Sequence, residues 1–146
     1  MSPLELIFQV ISAFIGVVAL AILFQVPKQY LLPAGITGAS GWFAELVTEN
    51  LLDNPVFSTF LAALLVAVMS QIFARVSKAP VTVYLVTGIL PLVPGIGMYR
   101  TVYYLLQSNG ELTSYYLSYT LQIAGMIALA IFIVDSFFKI LYRKRK

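Results

Sequence analysis

Cysteine and histidine are both absent from this chain, and only 10% of its residues are charged. Their absence excludes disulfides, thiol chemistry, histidine bases and histidine or cysteine metal ligands. Soluble domains carry about 25% charged residues. The shortage of charge, with 60% hydrophobic residues and a mean hydropathy of +0.92, predicts an integral membrane protein. We expect no metal, no cofactor and, at a net charge of +3, no nucleic-acid partner.

Five apolar segments are separated by short polar turns, and a helical span needs about 20 such residues. We predict spans at 3–26, 30–48, 55–75, 79–107 and 115–141, with a basic cytoplasmic tail at 142–146. The second segment is the least hydrophobic because small residues dilute it. Its Ala34, Gly38 and Gly41 share one helix face, a spacing typical of closely packed helices. The predicted fold is therefore an all-α integral membrane protein, residues 1–146 forming one domain with five transmembrane helices.

The charges between these segments fit one orientation in the membrane. Lys and Arg concentrate in cytoplasmic loops. With five spans and an outside N-terminus, every basic turn falls inside and every acidic turn outside. The basic groups are Lys28, Arg75, Lys78 and the tail; the acidic ones are Glu5, Glu49, Asp53 and Glu111. Omitting the second span would place either Lys28 or the Arg75 turn on the wrong side.

The fourth span, 79–107, contains a sequence that cannot continue a helix. Its middle reads Pro91-Leu-Val-Pro94-Gly95-Ile-Gly97. Each proline removes a backbone donor and clashes with the preceding turn, and glycine adds backbone freedom. Freed backbone groups inside a bilayer need protein or water to satisfy them. Broken spanning helices commonly form the substrate and ion sites of transporters, so we predict a binding site at residues 91–97.

An arginine follows this break and suggests which ligand would bind. A second half-helix starting near Pro94 would present the amides of its first turn, which attract anions. Arg100 leans back toward that turn, and arginine binds carboxylates through two parallel hydrogen bonds. Arg100 could instead pair with Glu45 or extend to the membrane surface. The predicted substrate-binding residues are Pro91, Pro94, Gly95, Ile96, Gly97, Tyr99 and Arg100.

Two acidic residues within the spans have open roles. Glu45 lies near the end of the second span, where we favour an interfacial carboxylate over a functional one. Asp135 in the fifth span is a candidate proton site for coupled transport, or a partner of Arg75 or of Lys139 four residues later. We favour pairing for Asp135, so the driving ion stays unidentified.

The residues also resemble a known family. Phe24-Gln-Val-Pro-Lys28, the Gly-rich stretch 34–42, Pro80 and Gly88-Ile-Leu-Pro-Leu-Val-Pro-Gly-Ile-Gly-Met-Tyr99 are similar to the threonine/serine exporter family, and in particular to its short membrane subunit. The resemblance implies export of small carboxylate-bearing metabolites, threonine and serine or a dicarboxylate such as succinate, across the bacterial inner membrane. It also implies a longer partner subunit. It does not extend to Arg100, and self-association of the chain stays open.

Two other functional classes compete with an exporter subunit that binds substrate. The chain could be a structural subunit that stabilises its longer partner without binding substrate. Substitutions at the break would then lower the amount of complex rather than turnover. An enzyme is disfavoured, because the spans offer no acid cluster, histidine or cysteine to act as nucleophile or base.

Overall fold

The computed structural model describes residues 2–143, which form six α-helices and no strand. Three turns of the chain separate the first four helices, and a short 3-10 turn, Leu90–Leu92, follows the fourth. The helices are α1 (Pro3–Leu23), α2 (Lys28–Leu52), α3 (Pro55–Ser77), α4 (Val81–Ile89), α5 (Gly95–Leu106) and α6 (Gly110–Arg143). Residues 144–146 of the predicted basic tail lie outside the described part of the chain.

Asparagine caps and left-handed residues set the helix boundaries. The side chain of Asn54 accepts a hydrogen bond from the Phe57 amide at 3.2 Å, and Asn109 accepts one from the Leu112 amide at 3.1 Å. Such caps satisfy amides that a first helical turn leaves unpaired. Every turn between helices except the one between α4 and α5 also contains one non-glycine residue with positive φ, which reverses the chain. These residues are Gln25, Asp53, Lys78 and Ser108.

The turns are shorter than the sequence predicted. Glu49 lies inside α2, which continues to Leu52, and Glu111 lies in the first turn of α6. α2 begins two residues before its predicted span and ends four residues after it, and α6 begins five residues before its predicted span. The reason is local: Asn54 and Asn109 cap the next helix at once, so the preceding residues are free to stay helical. The span limits themselves stay predictions.

Three helices, α1, α3 and α6, are long and apolar enough to cross a membrane. α4 and α5 qualify together as a pair bent by 53°. α2 has 25 residues, about 37 Å of helix, but its Gly, Thr, Ser and Glu residues make it too polar to qualify by composition. The all-helical, multi-pass membrane architecture is confirmed, while the count of five spans remains a prediction.

α2 nevertheless lies at the centre of the helix packing, against α1, α3 and α4. Its small residues make this possible. A Cβ atom added to Gly38 would overlap the Val17 side chain of α1, and one added to Gly41 would overlap the Val66 side chain of α3. Gly88 of α4 approaches the same helix, since its Cβ would lie 2.9 Å from the Thr37 methyl group. The small-residue face therefore brings three different helices close to α2.

The main apolar core joins α3, α6 and the 3-10 turn. Leu92 is 4% exposed and packs into a cluster whose other fully buried members come from α3 and α6. These members are Ala62, Ala63, Val66, Ile123, Ile127 and Ala130. Because Leu92 inserts into this cluster, the 3-10 turn between α4 and α5 is anchored to the bundle.

Candidate functional site

The break between α4 and α5 consists of the 3-10 turn, the extended residue Val93 and Pro94 in a tight turn. Val93 has φ −62° and ψ 131°, and Pro94 has φ −76° and ψ 61°, after which α5 begins at Gly95. Pro91 cannot donate to the preceding turn, and Pro94 prevents Val93 from being helical. The α-helix is interrupted at residues 90–94, which overlaps the predicted break at 91–97, whereas residues 95–97 already form the first turn of α5.

The backbone of the break satisfies some of its own polar groups. The Val93 amide donates to Leu90 O at 3.2 Å and the Gly95 amide donates to Val93 O at 2.7 Å. The Gly95 amide is therefore engaged within the turn and is not open as the sequence suggested. The amides of Ile96 and Gly97 follow in the first turn of α5, where an intrahelical acceptor is lacking.

A cavity of about 450 Å³, here called the break cavity, opens beside these amides. Its walls come from four parts of the fold: α2, the start of α3, the break itself and α6. The lining residues are Trp42, Glu45 and Glu49 of α2, Pro55 and Thr59 of α3, all seven residues 91–97, and Tyr119 and Ile123 of α6. The volume lies in the range typical of small-molecule sites, about 300–1,000 Å³.

Glu45 is the half-buried carboxylate of this cavity. Its Oε1 atom accepts a hydrogen bond from Thr59 Oγ1 at 2.7 Å, and its Oε2 atom is buried with no hydrogen-bond partner. Thr59 itself is 1% exposed. The carboxylate thus packs against α3, and its position at the membrane interface stays a prediction.

A second cavity of about 380 Å³, the tyrosine cavity, adjoins the first between α5 and α6. Four residues line both cavities: Pro55, Ile96, Gly97 and Tyr119. The remaining walls of the tyrosine cavity are Arg100, Tyr115 and Tyr116. The two cavities therefore meet at the start of α5, with Glu45 on one side and Arg100 on the other.

Arg100 is exposed on the single chain and contacts α6. Its Nη1 atom donates to the Tyr116 hydroxyl at 3.2 Å, and its guanidinium carbon lies 5.3 Å from the centre of the Tyr116 ring. Tyr116 in turn stacks on Tyr104 of α5 at 5.5 Å between ring centres. Within residues 2–143 Arg100 forms no ion pair with Glu45. The guanidinium is held beside Ile96 and Gly97, which line the same cavity.

The other predicted site residues divide between the two cavities and the surface. Pro91, Pro94 and Gly95 line the break cavity, and Ile96 and Gly97 line both. Tyr99 lines neither of the two; it is 68% exposed and its ring stacks on Tyr103 at 6.1 Å.

Asp135 belongs to a separate polar cluster at the other end of α3 and α6. It pairs with Lys139 at 2.7 Å and accepts a longer contact of 3.4 Å from Gln71 Nε2. Gln71 also binds Arg75, whose guanidinium lies over the rings of Phe138 and Tyr142 at 4.6 and 4.1 Å. Asp135 lines neither the break cavity nor the tyrosine cavity.

Sequence reasoning related Glu45 to the break only as a possible partner of Arg100, and it did not place Thr59 or Tyr119 there. A partial signal was available in α2, because Trp42, Glu45 and Glu49 are spaced by three and four residues and so share one helix face. That spacing predicts one common surface, but it does not say which element the surface meets.

The chain was compared with known protein families and solved structures. The family model described as "Threonine/Serine exporter, ThrE" matches residues 9–137, which is most of the chain. No solved structure is significantly similar. The match includes α2 to α5 in full and most of α1 and α6, and with them the break and the residues that line both cavities. The chain therefore belongs to the threonine/serine exporter family, a family of membrane transporter components.

Proposed function

We propose that this chain is the substrate-binding membrane subunit of a secondary exporter for small carboxylate-bearing metabolites, threonine and serine or a dicarboxylate such as succinate. It works with a longer subunit of the same family in the bacterial cytoplasmic membrane. All five predicted segments cross the membrane, with the N-terminus outside and the C-terminus in the cytoplasm. The observation that supports a binding role most strongly is the break cavity, which joins a broken helix to polar groups on α2 and α3.

The carboxylate of the metabolite binds where the two cavities meet. There the first-turn amides of Ile96 and Gly97 and the guanidinium of Arg100 supply positive charge. Arg100 exchanges its contact with the Tyr116 hydroxyl, a neutral acceptor, for a charged one. Pro91, Pro94 and Gly95 keep the turn open, and Leu92 anchors it in the core.

A structural role is the alternative. α1 supports it, because several of its large apolar residues are more than half exposed on the single chain. They include Leu4, Ile7, Phe8 and Ile15. Such a face fits either lipid or the helices of a partner subunit.

Export measurements in cells distinguish the two roles. Cells carrying this chain, a longer family subunit, both or neither are loaded with threonine, and its release is followed. A binding subunit requires both chains for export, and substitutions at the break lower export at an unchanged amount of complex. If the same substitutions instead remove the partner from the membrane, the structural role is correct.

A further inference from the structure

One charged side chain of the break cavity, that of Glu45, takes no part in the proposed carboxylate site. We propose that Glu45, positioned by Thr59, binds the ammonium group of the exported metabolite and makes the cavity selective for amino acids over acids that lack an amino group. This inference rests on the proposed function and adds the group that determines specificity.

The burial of the Glu45 carboxylate is the first observation. Its Oε2 atom is buried and has no hydrogen-bond partner, although the residue lines a cavity. Leaving an acceptor buried and unpaired is costly, and for a charged group the cost is larger. A rotation of the Glu45 side chain that turns this atom toward the cavity would let a cationic donor there satisfy it.

The hydrogen bonding of Thr59 is the second observation. Its hydroxyl lies 2.7 Å from Glu45 Oε1 and 2.9 Å from Pro55 O. A hydroxyl has one hydrogen, so the two acceptors compete for it. Both oxygens of the Glu45 carboxylate therefore have fewer hydrogen-bond donors than they can accept. An ammonium group, which has three donors, can supply the missing hydrogen bonds.

The charges around the cavity are the third observation. Among residues 2–143, its charged lining residues are Glu45 and the exposed Glu49, and no Lys or Arg of that range lines it. Arg100 lies in the adjoining tyrosine cavity. A zwitterion spanning the junction would place its carboxylate toward Arg100 and its ammonium group toward Glu45. A dicarboxylate would place its second negative charge beside Glu45, where like charges repel.

Binding of two matched compounds tests this role. Threonine and 3-hydroxybutyrate differ by the amino group alone, and their affinities are measured on the complex of this chain with a longer family subunit. We expect wild type to bind threonine about ten- to a hundredfold more tightly, as a charged hydrogen bond would provide. In Glu45→Gln that ratio should fall to near one, with the affinity for 3-hydroxybutyrate little changed.

Three further variants serve as controls for misfolding and for general effects of charge. Glu45→Asp keeps the charge and should retain part of the ratio. Thr59→Val keeps the shape of the side chain but removes the hydroxyl, and should lower the ratio less than Glu45→Gln does. Glu111→Gln, an exposed residue outside both cavities, should bind as wild type does.

The outcomes separate this role from the others. A ratio that is unchanged in Glu45→Gln overturns the inference, whether both affinities stay as in wild type or both fall together as a structural role requires. Loss of proton-driven transport with an unchanged ratio overturns it as well and makes Glu45 a coupling group. If wild type binds succinate but neither of these compounds, the inference is overturned and the proposed function stands. If it binds none of the three, the proposed function fails and this inference with it.

Discussion

Gly97 is the position where the start of α5 packs most closely on α6. A Cβ atom there would lie 2.5 Å from Thr120 Oγ1, whereas the Thr120 Cβ atom would be 3.7 Å away, an ordinary contact. Thr120 is fixed by a hydrogen bond from its hydroxyl to Tyr116 O at 2.7 Å. Gly97→Ala therefore forces α5 away from α6 or breaks that bond.

The size of the effect follows from comparison with Gly95. A Cβ atom on Gly95 meets nothing within 4 Å, although both glycines lie in the first turn of α5. Alanine stabilises a helix by up to about 1 kcal/mol relative to glycine, and both variants receive this stabilisation. Overpacking costs about 1–3 kcal/mol, so we expect Gly97→Ala to be less stable than Gly95→Ala by that amount.

Unfolding of the purified chain in detergent, followed by circular dichroism, measures this difference. The double variant Gly97→Ala/Thr120→Ala removes the overlapping oxygen and should recover most of the loss. If Gly97→Ala and Gly95→Ala unfold alike, or if Thr120→Ala gives no recovery, the described contact between α5 and α6 is wrong.

Two further predictions concern orientation and the inner ends of the helices. Single cysteines at Asn54 and Asn109 should react with an impermeant thiol reagent in intact cells while one at Lys78 should not; outside labelling at Lys78 would contradict the five-span arrangement. Arg75→Ala should destabilise the chain by about 1–3 kcal/mol, because it removes two ring contacts and charged hydrogen bonds. Lys139→Ala breaks a largely exposed pair and should cost under about 0.5 kcal/mol; equal losses in denaturation would refute this distinction.

The sequence predicted those features that depend on local chemistry. Pro91 and Pro94 together strongly disfavour a continuous helix, so the break could be placed to within three residues at either end, although the single Pro33 is accommodated inside α2. Gly38 and Gly41 similarly predicted close packing of α2. The sequence did not predict that the two glycines contact different helices. Those contacts depend on how α1 and α3 are arranged around α2.

The composition of the site needed the tertiary structure. Glu45 and the break are nearly 50 residues apart in the chain, and only the rotation of α2 against α3 and α4 brings the carboxylate to the break cavity. The sequence did relate Arg100 to Gly97, because residues three positions apart in a helix lie on the same face. Its contact with Tyr116 depends on the docking of α6, which the sequence does not specify.

The central claim is that the junction beside Ile96, Gly97 and Arg100 binds the carboxylate of the exported metabolite. Its most direct test is the affinity of the exporter complex for threonine and for threoninamide, in wild type, Arg100→Lys and Arg100→Gln. Losing a charged hydrogen bond costs about 1.5–3 kcal/mol, or roughly ten- to a hundredfold in affinity. We predict that Arg100→Gln loses this much for threonine but little for the amide, and that Arg100→Lys recovers only part, because an ammonium group cannot make the two-point contact. Wild-type affinity of Arg100→Gln for both compounds would contradict the claim.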